Sequence, residues 1–327
     1  MPIQPVTLPV IAAPMFLISG PKLVVECCKA GIIGTFPALN QRTTEGLDEW
    51  LTQIKQELDE WEAATGKTAA PFGVNLIVHG SNPRLEADLR VCGKHRVPLI
   101  ITSLGAVSDV VDAVHSWGGE VFHDVIKRRH GEKAAEAGVD GLIAVAAGAG
   151  GHGGTLNPMT LVAELKTVFD GRIILSGCIS NGRDVATALQ MGADLAYMGT
   201  RFIATDESMA TPEYRQMIVD SKAEEIVYTA AISGVNANFL RRSLRAAGIT
   251  EEDLRKTTKI DFGKEMDTEA KAWKTIWSAG QGVSTVTETL PVAELVAQLR
   301  VEFAEAVQQQ AAAAQRWVEA ARVPQPS

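Results

Sequence analysis

Eight short apolar runs alternate with amphipathic segments over the first two hundred residues, and this alternation limits the folds open to the chain. The runs are continuously apolar, which is typical of parallel strands buried on both faces. An amphipathic stretch lies in each of the seven gaps between them. Eight such units favour an α/β fold, a closed (β/α)8 TIM barrel, over an open doubly wound sheet. The predicted strands are Val10–Met15, Ile33–Leu39, Phe72–Val78, Leu99–Leu104, Glu120–Val125, Leu142–Ala147, Arg172–Cys178 and Leu195–Phe202.

The eighth strand is followed by a polar, helix-forming tract, which we interpret as a small helical insertion without strands. Its helix candidates are residues 214–222, 238–247 and 269–276. A break at 278–282 precedes an amphipathic helix at 291–307, and the tail 308–315 is expected to extend that helix. We therefore expect a barrel made of residues 1–204 and 278–327, with an insertion of 205–277 that acts as a substrate or lid domain.

Composition excludes several classes of function. The net charge is −8 with no block of like charges, which argues against nucleic-acid or membrane-surface partners. The chain shows no signal peptide and no apolar span of membrane length, so we expect a cytoplasmic protein. The four cysteines form no C-x-x-C pair and are expected to be small buried residues. The six histidines lack metal-ligand spacing, so we expect no metal.

A glycine-rich loop follows the sixth predicted strand. Residues 148–154 hold five glycines and one histidine, His152. Glycines allow positive φ and a close approach to a ligand because no Cβ stands in the way. His152 is the one side chain of the loop that can move a proton near neutral pH, so we name it as the candidate catalytic residue. The alternative is a flexible loop with a solvated histidine.

The seventh and eighth strands end in a pattern that suggests a phosphate site. They end at Ser176-Gly177 and at Gly199-Thr200. Barrels often bind phosphate between these two loops through backbone N–H groups. Glycines at both ends predict a phosphorylated cofactor or substrate, with simple tight turns as the alternative.

Other strand ends carry polar side chains. Asn75 either orients a heterocycle through its amide or satisfies loop backbone. Asp124 and Lys127, after the fifth strand, either pair with each other or contact a ligand. No strand holds an inward lysine for Schiff-base chemistry, and inward metal ligands are too few. Proton transfer beside a bound redox cofactor is the chemistry that remains.

Five motifs together resemble the nitronate monooxygenases. They are Ala13-Pro-Met15, the loop around His152, Ser176-Gly177, Met198-Gly-Thr-Arg-Phe202 and Trp277-Ser-Ala-Gly-Gln281, in the family's order along nearly the whole chain. The motifs are also similar to those of flavin-dependent enoyl-acyl-carrier reductases and some NADH:quinone reductases. The resemblance implies an FMN-binding barrel with a helical lid.

The resemblance also implies roles for individual residues. His152 corresponds to the family's active-site histidine, and the FMN phosphate would lie at Gly177, Gly199 and Thr200, beside Ser176. Some members carry Lys where this chain has Asp124, so Lys127 becomes the candidate to balance a reduced flavin. The remaining cofactor candidates are Ala13, Pro14, Met15, Asn75, Gly150 and Gly151 around the isoalloxazine, with Gln281 and Gly282 where the chain re-enters the barrel.

The reaction that the resemblance implies is oxidation of an alkyl nitronate to a carbonyl compound and nitrite. Its partners are a small-molecule substrate and molecular oxygen, and the sequence leaves a homodimer open. One alternative is an NAD(P)H-dependent FMN reductase acting on a quinone or enoyl thioester. Another is a flavin-free barrel that binds a phosphorylated metabolite.

Overall fold

A closed barrel of eight parallel strands forms the centre of the protein, as the alternating pattern predicts. The computed structural model describes residues 5–80, 82–103, 105, 108–232, 234–255 and 276–320. The barrel strands, in their order around it, are β1 Val10–Ala12, β2 Ile33–Pro37, β3 Phe72–Ile77, β4 Leu99–Ser103, β5 Glu120–Val125, β6 Gly141–Val145, β8 Arg172–Ser176 and β9 Leu195–Met198. The short strand β7, Gly151–His152, lies outside the barrel.

Helices connect successive barrel strands and cover their outer face. Each of the seven gaps between the predicted strands holds a helix, as the amphipathic stretches predict. The helices are α1 Pro21–Lys29, α2 Thr44–Thr65, α3 Leu85–Lys94, α4 Ser108–Ser116, α5 Arg128–Glu136, α6 Pro158–Leu165, α7 Gly182–Gln190, α8 Thr200–Ile203, α9 Pro212–Asp220, α10 Arg241–Ala246 and α11 Val292–Ala320. Short 3₁₀ turns lie at Ala38–Asn40, Ala223–Glu225, Asp253–Arg255 and Gln281–Thr285.

The barrel core has two apolar layers because successive strand side chains alternate between faces. A large cluster fills the space between strands and helices. A second cluster plugs the interior with buried branched and aromatic side chains, among them Ile101, Phe122, Ile143 and Ile174. The plug fills the barrel interior, and ligands of such barrels bind above the carboxyl ends of the strands.

The inserted segment is not purely helical, and this part of the prediction was wrong. It contains β10 Ile226–Thr229 and β11 Ala237–Leu240, which pair antiparallel, and β11 also pairs with β7. The predicted helix 238–247 is therefore a strand followed by α10. The strands escape a local pattern search because they are four residues long and are stabilised by pairing with a distant loop. Residues 269–275 of the third helix candidate lie outside the described residues.

The chain closes the barrel with α11, which packs against α7 and α1. This helix continues through the predicted tail, and its residues 311–320 are exposed. Within the described ranges, no helix combines the length and the apolar character that crossing a membrane requires.

Candidate active site

The carboxyl ends of the barrel strands form a polar floor above the apolar plug. Strand alternation directs side chains near the carboxyl ends of five strands inward at this level. We define the floor by five residues: Asn75 of β3, Ser103 of β4, Asp124 of β5, Ser176 of β8 and Tyr197 of β9. Except for Asn75, each comes two positions after a buried member of the plug, and Tyr197 also belongs to the plug cluster.

A hydrogen-bond chain runs across three adjacent strands of the floor. Asn75 Nδ2 donates to Ile101 O at 3.3 Å and to Ser103 Oγ at 3.0 Å. Ser103 Oγ in turn donates to Asp124 Oδ2 at 2.5 Å. The NH₂ group of Asn75 is thus committed to β4, and the carboxylate is held by a hydroxyl donor.

Asp124 is an unusual carboxylate because its second oxygen is orphaned. Its Oδ1 is buried and has no hydrogen-bond partner among the described residues. Burial raises the pKa of Asp124 to about 6, although the bond from Ser103 acts in the opposite direction. Burial, reinforced by the charge of Asp124, also raises the pKa of Tyr197. The floor therefore contains one carboxyl group whose charge changes near neutral pH.

His152 lies in the glycine loop that follows the carboxyl end of β6. Gly148 and Gly151 have φ of +82° and +68°, the left-handed region that favours glycine. His152 pairs with Ala237 of β11, so the imidazole is held by a strand rather than by a free loop. The ring is solvent-accessible, yet the surrounding protein lowers its pKa by desolvation. A neutral imidazole at pH 7 is therefore the form that the site favours.

Two residues of the insertion fasten the glycine loop. Asn238 Nδ2 donates to Ala149 O at 2.6 Å, and Tyr228 Oη donates to Gly153 O at 3.0 Å. Sequence reasoning did not single out either residue. No local signal marks them, because their role follows from the pairing of β11 with β7.

The seventh strand, β8, ends in a turn that requires glycine. Gly177 has φ of +123°, and a Cβ added there would lie 3.2 Å from Ala147 O. Gly199 differs, since its φ is −102° and an added Cβ would make only ordinary contact with Ala13 and Met15. Its contacts do place the Ala13-Pro14-Met15 segment beside the end of β9.

The re-entry segment joins both halves of the site. Gly280 N donates to Thr200 Oγ1 at 2.8 Å, and Gln281 N donates to Gly148 O at 2.8 Å. A Cβ added at Gly150 would lie 2.9 Å from Gly280 N. A Cβ at Gly282 would lie 2.4 Å from Ser180 Oγ. Glycine at these positions lets three chain segments pack against one another at the rim.

The nitronate monooxygenase family model matches residues 1–302, which includes every element of this site. The chain belongs to the nitronate monooxygenase family. It is thus a flavin-dependent oxidoreductase of the nitronate monooxygenase type. A family member from Paraburkholderia phytofirmans, named nitronate monooxygenase, is 26% identical over 363 residues, with 94% of this chain and 96% of the relative covered.

Solved structures agree with this assignment. The structure of nitroalkane oxidase from Streptomyces ansochromogenes has a TM-score of 0.74 and 25% identity, with 93% of this chain and 98% of that chain covered. FabK from Thermotoga maritima has a TM-score of 0.79 at 24% identity, with 94% and 96% covered. The likeness to FabK supports the fold.

The residues present fit the flavin that the family uses. The turn at Gly177 leaves backbone open where a side chain would approach neighbouring carbonyl oxygens. The orphaned Asp124 Oδ1 offers a hydrogen-bonding atom that no described protein group uses. Both features lie at the carboxyl ends of the strands, where ligands of these barrels bind.

Lys127 does not join the floor in the described contacts. It is exposed at the N-cap of α5, and its carbonyl oxygen accepts from His130 N at 3.0 Å and Gly131 N at 3.3 Å. No ion pair between Lys127 and Asp124 occurs among the described residues. The predicted cationic partner for a reduced flavin therefore lies with the helix, not with the floor.

The prediction that all four cysteines are buried is wrong for Cys178. Three cysteines are buried as expected, but Cys178 is exposed at the end of β8. Its φ is +59°, because the chain turns directly after Gly177, and its Sγ lies 4.0 Å from Gln281 Oε1. Desolvation by the surrounding protein and the charge of the nearby Asp184 raise the pKa of the thiol, so Cys178 is a protonated rim residue rather than a nucleophile.

Proposed function

We propose that the protein is an FMN-dependent nitronate monooxygenase that converts alkyl nitronates to carbonyl compounds and nitrite, with consumption of molecular oxygen. The observation that supports this most is the position of His152. A strand pairing holds it in the glycine loop after the carboxyl end of β6, next to the loop segment that packs on Gly280. A titratable group above a barrel floor suits proton transfer beside a bound cofactor.

The end of β8 and the start of α8 suit the phosphate of FMN. Backbone N–H groups at Gly177, Gly199 and Thr200 are the proposed phosphate donors, and Ser176 adds a hydroxyl. The ring would lie over the floor, between the Ala13-Pro14-Met15 segment and the glycine loop. When bound, FMN supplies the two-electron acceptor that the side chains lack.

His152 would act as a base toward neutral nitroalkanes. Its lowered pKa leaves the imidazole unprotonated at pH 7 and ready to accept a proton from carbon. The imidazolium formed would then lie beside the nitronate anion and stabilise it. A nitronate supplied already ionised needs no base, so the two substrate forms report separately on this role.

The deciding experiment is a spectrum of the purified protein followed by anaerobic additions. We expect flavin absorbance, FMN released on denaturation, flavin reduction by a nitronate, and nitrite with oxygen uptake when air is admitted. Rapid reduction by NADH or NADPH, with none by nitronate, would instead identify a reductase. A colourless protein that cannot be reconstituted with FMN would exclude flavin chemistry and favour a phosphorylated-metabolite barrel.

A further inference from the structure

Asp124 lies on the floor without the partners that normally keep a buried carboxylate charged. Ser103 provides its one described hydrogen bond, and that hydroxyl receives its own bond from the neutral Asn75. Asp124 Oδ1 remains buried and unpaired among the described residues. A buried carboxylate with half its acceptors unsatisfied is costly to keep ionised.

The elements packed around Asp124 offer it no cation among the described residues. Strand β4 presents Ser103, and strand β6 presents the apolar Ile143 and Val145. From β9 comes Tyr197, a neutral phenol whose pKa is raised further by Asp124. Lys127, in the loop that follows β5, is exposed and lies with α5.

An added negative charge above the floor acts on a carboxyl group whose pKa is already close to neutral pH. Burial raises the pKa of Asp124 to about 6, so at pH 7 the group is mostly ionised. A like charge nearby disfavours the ionised form and raises the pKa further. Reduction of a flavin adds such a charge, and the floor holds no described cation to offset it.

We propose that Asp124 takes up a proton from solvent when the flavin bound at this site is reduced, and so offsets the added negative charge. The inference rests on the proposed FMN site. Two electrons and one proton go to the flavin, and a second proton forms an O–H bond on the Asp124 carboxylate. No bond is broken in the second transfer. The reductant in the test is dithionite, which supplies both electrons.

The test measures flavin content first, and then the protons taken up per flavin on anaerobic reduction as a function of pH. Asp124→Asn should take up fewer protons than the wild type, and the deficit should approach one proton per flavin toward pH 7. Near pH 6 the deficit should be smaller, because about half of the carboxyl groups are already protonated before reduction. Ser103→Ala removes the bond that lowers the Asp124 pKa, so its extra uptake should begin at a higher pH. Asp112→Asn, an exposed carboxylate on α4, should match the wild type.

Each outcome bears on a different statement. Bound FMN with equal proton uptake in the wild type and Asp124→Asn would overturn this inference and leave the proposed function standing. A wild-type protein that binds no FMN would overturn both. If Asp124→Asn fails to fold or loses FMN, Ser103→Ala decides the matter, and an unchanged onset of uptake in that variant overturns the inference.

Discussion

The side-chain amide of Asn238 donates a 2.6 Å hydrogen bond to the carbonyl oxygen of Ala149. Both residues are buried, at 3% exposure each. The bond fastens the inserted sheet to the glycine loop, so the position of His152 depends on residues more than eighty positions further along the chain. The insertion is therefore part of the structure of the candidate active site.

Asn238→Ala tests this dependence. Loss of the donor leaves Ala149 O buried and unsatisfied, which costs about 1–3 kcal/mol of stability. We expect turnover to fall by about tenfold, since a misplacement worth about 1.4 kcal/mol in the barrier has that effect. FMN content should be retained. Steady-state kinetics, flavin absorbance and thermal unfolding measure the three quantities.

The control for Asn238→Ala is Thr43→Ala. Thr43 Oγ1 caps α2 by accepting from Gly46 N, far from the site in the sequence and on the outer helical layer. Its loss should cost about 1 kcal/mol of stability and leave turnover unchanged. Wild-type turnover in Asn238→Ala would show that the bond does not position the loop.

Gly177→Ala should weaken FMN binding by about tenfold or more. An alanine at φ +123° is strained, and its Cβ would crowd Ala147 O, so the backbone at the proposed phosphate site must shift. Gly66→Ala is the matched control. Gly66 ends α2 at φ +67° with open space around an added Cβ, so the change costs about 1–2 kcal/mol of backbone strain. Flavin fluorescence titration compares the two; equal affinities would argue against a phosphate site at Gly177.

The pH profile for a neutral nitroalkane should report on His152. The lowered pKa of His152 means that the base form dominates above a midpoint below 6.5. We expect kcat/KM to rise with pH through that midpoint and to be level at pH 7, whereas a pre-ionised nitronate should lack this rise. A rise centred above 6.5 would contradict the assignment.

His152→Asn should keep its FMN and lose about 10²- to 10⁴-fold of nitroalkane turnover. His115→Asn, on α4, is the control for a histidine change outside the site. Nitrite release and oxygen uptake measure both variants. Full activity in His152→Asn would remove His152 from the mechanism.

The free energy of unfolding below pH 6.5 should depend on the protonation of His123. This residue lies on β5 and is hydrogen-bonded to Thr102, outside the floor. Burial lowers the pKa of His123 to about 4, so its contribution is complete above pH 6.5 and is lost as pH falls toward 4. Asp124, with its pKa raised to about 6, contributes in the opposite sense: its stabilisation is present at low pH and is lost as pH rises through 6. The two residues therefore change the free energy of unfolding with pH in opposite directions.

Single variants should separate these slopes. In Asp124→Asn the free energy of unfolding should fall on acidification, by up to about 1.4 kcal/mol per pH unit. In His123→Gln it should instead rise on acidification. Urea unfolding at several pH values between 4 and 6.5 measures both. Parallel curves for the wild type and the two variants would show that neither group is linked to folding.

Much of the fold follows from local patterns in the sequence. The apolar runs identify all eight barrel strands, since burial on both faces demands continuous hydrophobicity within each run. The strand ends then identify the side of the barrel on which a site must lie. The glycine loop and His152 can also be recognised from the local sequence, because five glycines around one histidine form an unusual pattern within seven residues.

Only the tertiary structure decided what surrounds those residues. Two features join segments that are distant in sequence: the pairing of β7 with β11, and the hydrogen-bond chain from Asn75 through Ser103 to Asp124. The exposure of Cys178 depends on one backbone angle. Hydrophobic periodicity records which face of an element is buried, whereas hydrogen-bond partners and charge states depend on which elements meet. The sequence by itself thus determined the barrel and the end of it at which we predict the site. The assembled fold determined that a strand holds His152, and that Asp124 has no cationic side chain paired with it among the described residues.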